Sequence, residues 1–325
     1  MSQAEQRLNA LNPSADKDNQ RIFSFSLVDR ENYAVTLDDP RGRKIVSNMV
    51  LYDLFSFDVA EHGHARSNFE ALFGRYESSI TRDTLQLVAK LQRGAADIKA
   101  EILNIFAAKF MNFLRNPHSV KKILNTIGNL GGYHPLDPDL LRQYSAVLAG
   151  KKPQQEHLSL QLGITPAEYR AWLSALFMVL TRHDSGEPNL LECIVKALFE
   201  EPSNEVLVTV FYYTDEHLDK RCLLSDRGYS TPVPEDEHLS FSFNLCSSAF
   251  ITYVFADIEK AAPKAATREI LETYKKRHKV VKVTPAKNDL RALSNYNRNV
   301  VYQCFNAVYS SSHFIYGVNL WPPHQ

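Results

Sequence analysis

Three acidic residues of the sequence have the type and placement needed for acid–base or metal chemistry. Glu70 and Glu77 are seven residues apart, so on a helix they lie two turns apart on one side. At about 100° per residue they fall at the edge of the apolar stripe, where a carboxylate can point into a cleft beside the core. Asp226 follows Ser225 directly after a short apolar strand and before a glycine-containing turn. Loops at strand ends are exposed yet rigidly held, which favours a functional site there.

Each of these side chains also has a structural interpretation. Glu70 and Glu77 can form the solvated flank of a helix, because glutamate is seldom buried without a partner. Ser225 and Asp226 can form a turn in which the side chain bonds local backbone. The sequence leaves both interpretations open at each position.

Other motifs that could carry chemistry are incomplete. The segment from Glu61 to His64 offers two histidines, but no third ligand can be named, and we predict no metal site. The GNLGG segment at 128–132 lacks the GK[ST] ending of a phosphate-binding loop and follows no strand, so we interpret it as a loop. No GxSxG motif is present. The sequence therefore identifies no cofactor.

Two long amphipathic helices between Ala65 and Arg115 must position the acidic pair. Gly94 is a plausible end for the first helix, and Pro117 ends the second at Asn116. A short link between such helices favours an antiparallel hairpin whose seam is the core. Arg115 falls on the polar side of its helix, where a cation is favourable at the C-terminus. The apolar stripe of the pair consists of Phe69, Leu72, Phe73, Tyr76, Ile80, Leu87, Val88 and Leu91, followed by Ile98, Ile102, Ile105, Phe106, Phe110, Phe113 and Leu114.

The remaining patterns predict an α+β fold that is mainly helical. An N-terminal β-hairpin over residues 21–37 precedes the helical hairpin, with a third strand expected at 44–51. A C-terminal antiparallel sheet follows, with strands at 205–213, 221–224, 238–244 and 247–255 and a closing helix at 288–309. We expect a flexible lead-in over 1–20 and a single domain over 21–325. Its helical part covers about 65–200 and its mixed part about 204–325.

Composition and charge limit the partners. The chain has 325 residues, with 37 Lys and Arg against 37 Asp and Glu, and hence no net charge. Broad electrostatic binding of nucleic acid is therefore not favoured. No stretch is long and apolar enough to span a membrane, and the N-terminus has no apolar signal-peptide core. The four cysteines are scattered along the sequence, which favours reduced thiols in a cytoplasmic protein. They are Cys193, Cys222, Cys246 and Cys304.

Several short stretches share one order and spacing with a known family. They are the strand before Tyr52-Asp53, Phe69-Glu70 with Glu77, the run from Phe106 to Pro117, Leu224 to Asp226, Leu239 to Phe243, and Asn297-Arg298 leading to Val308-Tyr-Ser310. Together they resemble the bacterial proteins grouped as Domain of Unknown Function 4238, over most of the chain after residue 21.

The resemblance implies a shared site built from distant segments. The polar positions that characterise the family correspond here to Glu70, Glu77, Arg115, Ser225, Asp226 and Asn297. It implies no particular reaction, since the family has no established activity. The chain departs from the family in lacking a His-x-x-Pro segment before the first hairpin. It also has Arg227-Gly228 where Asn-Pro usually follows the Ser-Asp pair.

Three hypotheses follow. The first is a recognition or sensor protein, in bacterial defence or stress response, that acts through a protein or ligand partner or through self-association. It predicts an exposed apolar patch around residues 314–321. The second is a hydrolase or nuclease-like enzyme in which Glu70, Glu77 and Asp226 act as acid and base or hold a metal, while Arg115 binds phosphate. The third makes the same residues a structural ion network.

Overall fold

The computed structural model of the protein describes residues 2–48, 54–58, 66–95, 97–128, 130, 133–149, 152, 154–182, 186–232, 238–262, 267–276 and 281–322. Within these residues the helices are, in chain order, α1 (Gln3–Arg7), α2 (Glu70–Gln92), α3 (Lys99–Leu114), α4 (Val120–Ile127), α5 (Pro138–Ala149), α6 (Gln155–Leu162), α7 (Pro166–Leu180), α8 (Leu190–Glu200), α9 (Ile258–Ala261), α10 (Arg268–Lys275) and α11 (Leu290–Gln303). Short 3-10 helices occur at Ile45–Ser47, Pro117–Ser119 and Asp215–His217. None of the described helices has the length and apolar character that crossing a membrane requires.

The strands form two larger sheets and one short pair. In chain order they are β1 (Arg21–Asp29), β2 (Ala34–Leu37), β3 (Arg43–Lys44), β4 (Ser56–Asp58), β5 (Arg66–Asn68), β6 (Asn204–Tyr212), β7 (Leu224–Ser225), β8 (Leu239–Cys246), β9 (Ala249–Asp257), β10 (Lys282–Lys287), β11 (Ala307–Ser310) and β12 (Asn319–Leu320). The predicted α+β class is confirmed.

The helical hairpin forms as its spacing predicts. α2 and α3 pack against each other along their apolar faces. The link between them begins at Gly94, whose φ of +71° is the left-handed conformation that glycine adopts at little cost. α7 packs beside the pair, and the Trp172 indole donates to the Leu114 carbonyl at 2.8 Å. That bond satisfies a carbonyl at the end of α3 that has no partner within the helix.

A four-stranded sheet in the order β10-β6-β9-β8 covers the other face of α3. β6, β9 and β8 pair antiparallel, as predicted, and β10 adds to β6 in parallel. The strand expected at 221–224 in this sheet is limited to β7, which pairs with β11 in the second sheet. Phe106 of α3 is completely buried. Its ring contacts those of Phe199, Phe241, Phe243, Tyr253 and Phe255. The aromatic cluster around Phe106 therefore holds the hairpin against the sheet.

The second sheet joins the two ends of the chain. The predicted hairpin of β1 and β2 forms, and the strand order is β12-β2-β1-β11-β7, with β3 also paired to β1. Phe23 of β1 lies opposite Ser310 of β11, and Val308 of β11 lies opposite Ser225 of β7. This sheet places the Ser225-Asp226 turn beside the residues that follow α11.

The first half of the lead-in over residues 1–20 packs against the rest of the protein, with Ser2, Glu5, Gln6, Asn9 and Ala10 buried, which corrects the expectation of a free lead-in for these residues. Ser2 and Glu5 form a capping box at the start of α1. Glu5 is buried, and its carboxylate accepts from the Lys109 ammonium at 2.5 Å and from the Asn112 amide at 2.7 Å. These contacts are polar, so no apolar pattern in the N-terminal sequence reveals them.

Two predicted boundaries also need correction. The third strand, expected at 44–51, is limited to β3 (Arg43–Lys44), because the chain turns into a 3-10 helix that buries Ile45. Residues 49–53 lie outside the described part. The closing helix, expected to run to 309, ends at Gln303. The backbone amides of the residues that follow bind the Asp226 carboxylate instead of continuing the helix.

Candidate functional site

A cleft of about 1070 Å³ lies where the N-terminal segment, the end of α3 and the turns after β7 and α11 meet. Its volume is slightly above the range of small-molecule sites, roughly 300–1,000 Å³. The charged and titratable side chains that line it are those of Arg7, Arg43, Glu77, Arg115, His118, Asp226 and Tyr309. Three residues that the sequence singled out, Glu77, Arg115 and Asp226, are thus brought to one cleft.

Arg115 is the most constrained cation of this cleft. It follows α3 directly and is only 8% exposed, so the expectation that it lies on the polar side of its helix is wrong. Its guanidinium bonds the Glu77 carboxylate and lies 5.0 Å from the centre of the Phe73 ring. A guanidinium can be buried in this way because the carboxylate neutralises its charge and the ring face is attractive to cations.

Asp226 lines the cleft, but its carboxylate holds backbone. Oδ1 accepts the amide of Phe305 at 2.8 Å, while Oδ2 accepts those of Asn306 at 2.6 Å and Ala307 at 2.9 Å. A carboxylate bound by three amides has little capacity left for a metal ion or a transferred proton. In this structure Asp226 is therefore a backbone anchor, and its catalytic role stays a prediction. The same bonds take the amides that would continue α11.

Asn116 connects this anchor to α3. Its Nδ2 donates to the carbonyls of Asp226 at 2.8 Å and Arg227 at 3.1 Å. Its Oδ1 accepts the amide of His118 at 3.0 Å and caps the 3-10 helix. The polar turn at 116–118 is thereby fixed against the turn at 226–227.

His118 is a candidate that the sequence reasoning missed. Its ring lies 4.8 Å from that of Phe305 and borders the cleft. Desolvation lowers the pKa of His118 below 6.5, and the charge of Asp226 offsets part of that effect. A neutral imidazole can donate or accept a hydrogen bond near pH 7. The available signal was the Asn-Pro-His sequence, since asparagine before proline marks a turn.

Ser225 and Asn297 do not belong to the cleft lining that the structure describes, and their assignment as ligand-binding residues stays a prediction. Ser225 is buried, and its hydroxyl accepts the amide of Arg227 at 3.1 Å. Asn297 is completely buried. Its Oδ1 accepts the Leu223 amide, and its Nδ2 donates to the carbonyls of Arg221 and Tyr316, each at 3.0 Å. Both side chains stabilise the sheet that carries β7.

Glu70 begins α2, and its side chain lies outside the described part of the structure. The segment from Glu61 to His64 lies outside it as well. Among the residues that are described, no group of three His, Cys, Asp or Glu side chains could hold a metal ion. The predicted acids do not form a metal site by themselves in the described part, because the Asp226 carboxylate is bound to backbone amides.

The four cysteines are free thiols. Burial raises the pKa of Cys304 to about 12, and burial also raises the pKa of Cys222 far above its ordinary range. A thiolate is the nucleophilic form of cysteine, so neither of these residues is suited to nucleophilic catalysis.

Comparison of this chain with models of known protein families, with curated proteins and with solved structures finds no match. The resemblance to Domain of Unknown Function 4238 stays a prediction.

Proposed function

We propose that the protein is a recognition or sensor protein that binds a small anionic molecule in the cleft beside Arg115. The observation that carries the proposal is the placement of Arg115 and Arg7 at one cleft, which Arg43 also lines while paired with Asp38. Arg115 is oriented there by Glu77 and Phe73. Arg7 lines the same cleft, and its Nε is buried with no hydrogen-bond partner among the described residues. A buried donor without a partner costs free energy that an incoming acceptor recovers.

Glu77 acts in this proposal as the occupant that a ligand replaces. Its side chain is 27% exposed, whereas that of Arg115 is 9% exposed. The carboxylate can therefore turn towards solvent while the guanidinium stays in place. A carboxylate or phosphate group of the ligand can bond Arg115 in place of the Glu77 carboxylate, and a guanidinium can bind such a group through two parallel hydrogen bonds. Ligand binding would release Glu77, and this local change of charge is the signal we assign to the sensor.

Two substitutions test this exchange. Glu77→Gln removes the competing charge, so we expect an anion to bind roughly tenfold more tightly. Arg115→Lys keeps the charge but loses the fork geometry, and we expect binding to weaken by about tenfold or more. The measurement is titration calorimetry at low ionic strength with inorganic phosphate, AMP and citrate as probes. Thermal unfolding of each variant establishes that the fold is retained.

A matched control is Arg142→Gln on α5, where the guanidinium pairs with Asp139 at the surface. It should leave the affinity of every probe unchanged. If the wild type binds none of the anions at millimolar concentration, or if Glu77→Gln weakens binding, the proposal is wrong.

The alternative is a hydrolase that uses Glu70, Glu77 and Asp226 with Arg115. Its support is that Glu77, Arg115 and Asp226 line one cleft and that a neutral imidazole, His118, lies beside them. Against it, Asp226 accepts three backbone amides and Glu77 is neutralised by Arg115. Nuclease and phosphatase assays with added divalent cations test this alternative. Turnover that is lost in Glu77→Gln but retained in the Arg142→Gln control would favour it over recognition.

Self-association is a second candidate, favoured by the exposure of the predicted apolar patch. Phe314 and Trp321 are each 51% exposed, and Leu320 is 44% exposed. Leu320 belongs to β12, an edge strand of its sheet, Trp321 follows it directly, and Phe314 lies five residues before it. Exposed apolar side chains at an open edge favour pairing with a second copy of the chain. Light scattering should then show a dimer that Trp321→Ser abolishes, and a monomer at all concentrations contradicts this candidate.

We place this sensor in the bacterial cytoplasm, in stress response or defence. Its unpaired thiols suit a reducing compartment. The resemblance to Domain of Unknown Function 4238 supports the bacterial origin. Nucleic acid is not a favoured partner, because the net charge is zero.

A further inference from the structure

A second concave surface lies along the N-terminal half of α3, whereas the Arg115 cleft lies at the C-terminal end of this helix. It is a groove of about 710 Å³ between α3, α8 and the C-terminal end of α10. Leu103 and Ala107, one helical turn apart on α3, form one wall. Val195 and Phe199, one turn apart on α8, form the facing wall, and Val281 completes the apolar lining. The groove is therefore apolar between two parallel rows of side chains.

The rim of this groove is basic. Lys99, Lys196, Lys275 and Lys276 line it. Lys275 is neutralised by Glu259 at 2.6 Å and Glu272 at 3.4 Å, and Lys196 lies 4.0 Å from Glu200. No ion pair forms at Lys99 or Lys276 within the described residues, and both are exposed.

The acidic side chains of the lining are already engaged. Glu192 bonds Arg75 at 2.5 Å and lies 3.6 Å from Arg182. Glu200 is the partner of Lys196. The ammonium groups of Lys99 and Lys276 are thus left without a counter-charge from the acids that share this groove.

We propose that this groove binds a small anionic amphiphile, with its apolar body on the walls formed by α3 and α8 and its acidic head at Lys99 and Lys276. The volume is that of a small-ligand site, roughly 300–1,000 Å³. A folded protein partner would need about 800 Å² of surface on each side, which is more than a groove of this size offers. The positive charge of the rim repels a cationic ligand and provides no electrostatic attraction for a neutral one.

A fluorescence titration with 8-anilinonaphthalene-1-sulfonate tests the proposal, since this probe is itself an anionic amphiphile. We expect one binding site, displacement by decanoate, and an affinity reduced by roughly tenfold in the double variant Lys99→Glu/Lys276→Glu. The matched control is Lys17→Glu/Lys121→Glu, which reverses two exposed lysines elsewhere and should bind the probe as the wild type does. An unchanged affinity in Lys99→Glu/Lys276→Glu overturns the assignment of the acidic head.

Ala107→Trp tests the apolar walls independently of charge, because the larger ring fills the groove. We expect loss of probe binding with a cooperative thermal transition that shows an intact fold. Retained binding in this variant overturns the proposed location. If the neutral probe N-phenyl-1-naphthylamine binds as tightly as the sulfonate, the ligand is not required to be anionic and that part of the proposal is wrong. If the protein forms a concentration-dependent dimer that Ala107→Trp abolishes, the groove binds a second copy of the chain instead. Arg115→Lys should not change probe binding, so this proposal and the one for the cleft can fail separately.

Discussion

The ammonium of Lys109 lies 2.5 Å from the carboxylate of Glu5, and the two side chains are only 1% and 2% exposed. Glu5 also accepts hydrogen bonds from the backbone of Ser2 and the amide of Asn112. This buried pair attaches α1 to the middle of α3. Because α1 provides one wall of the Arg115 cleft, the pair also shapes the proposed ligand site.

Lys109→Met should lower the free energy of unfolding strongly, because it leaves the Glu5 carboxylate buried without its counter-charge. Breaking a buried ion pair in this way costs about 3–5 kcal/mol. Urea unfolding at pH 7, followed by fluorescence of the buried Trp172, measures the change. Arg142→Met is the control, since its ion pair with Asp139 is exposed and should contribute little. Equal stability of both variants would contradict a structural role for the pair.

The same pair predicts a loss of stability in acid. Burial raises the pKa of Glu5, but the Lys109 ammonium and the hydrogen bonds outweigh this, so that the pKa falls from 4.5 to about 2. A carboxyl group with a depressed folded pKa contributes stability that is present above about pH 4.5 and lost as the pH falls towards 2. Unfolding measured from pH 6 to pH 2.5 should show this loss in the wild type. The contribution should be missing in Lys109→Met.

Asp226→Asn should destabilise the protein by about 2 kcal/mol, because an amide offers only one acceptor oxygen to the three backbone amides that Asp226 binds. Chemical unfolding measures the change. The control is Asp289→Asn, because Asp289 caps α11 by accepting the Ala292 amide and asparagine caps a helix equally well. If the Asp226→Asn variant unfolds like the wild type but loses a nuclease or phosphatase activity that the wild type shows, Asp226 is a catalytic residue.

Asn297→Ala should cost about 3 kcal/mol of unfolding free energy. The substitution removes three hydrogen bonds and leaves the Leu223 amide and two carbonyls buried without that partner. Asn295→Ala, at an exposed position of α11, is the matched control and should change stability little. If Asn297→Ala retains stability and abolishes anion binding at the Arg115 cleft, Asn297 is a ligand-binding residue after all.

His118 should titrate below pH 6.5, because desolvation disfavours its charged form. The Asp226 charge raises the pKa, so Asp226→Asn should lower it further. The unfolded chain binds the proton more readily, and stability should therefore fall as the pH drops from about 6.5 to the folded pKa. Imidazole resonances assigned with His118→Gln follow the titration by NMR. A pKa above 6.5 would mean that Asp226, rather than desolvation, dominates.

The sequence predicted the features that depend on neighbouring residues. Gly94 marks the end of α2, and the Thr-Pro-Ala-Glu run at 165–168 forms the capping box of α7, with the Thr165 amide 2.7 Å from the Glu168 carboxylate. Apolar spacing likewise predicted the hairpin of α2 and α3. These signals are local, since the residues that form each pattern lie in or within a few positions of the element that the pattern predicts.

The site was only partly predictable, because its contacts join distant segments. Glu5 and Lys109 are 104 positions apart, and Asp226 is 79 from Phe305. A polar residue that bonds across such a distance carries no periodic signal. Glu77 and Asp226 line one cleft in the structure. Their partners, which decide what the acids can do, had to come from the structure.

The sheet that joins both chain ends has a consequence for how the protein reaches its folded state. β1 lies between β2 and β11, and Asn319 bonds the Asn32 carbonyl across 287 positions. During synthesis β1 and β2 therefore leave the ribosome long before β11 and β12 exist. Contacts between such distant positions slow folding, because a long loop must close before they form. Until then the Phe23 and Phe25 edge is open to other nascent chains, so expression yield should depend on chaperones that shield it.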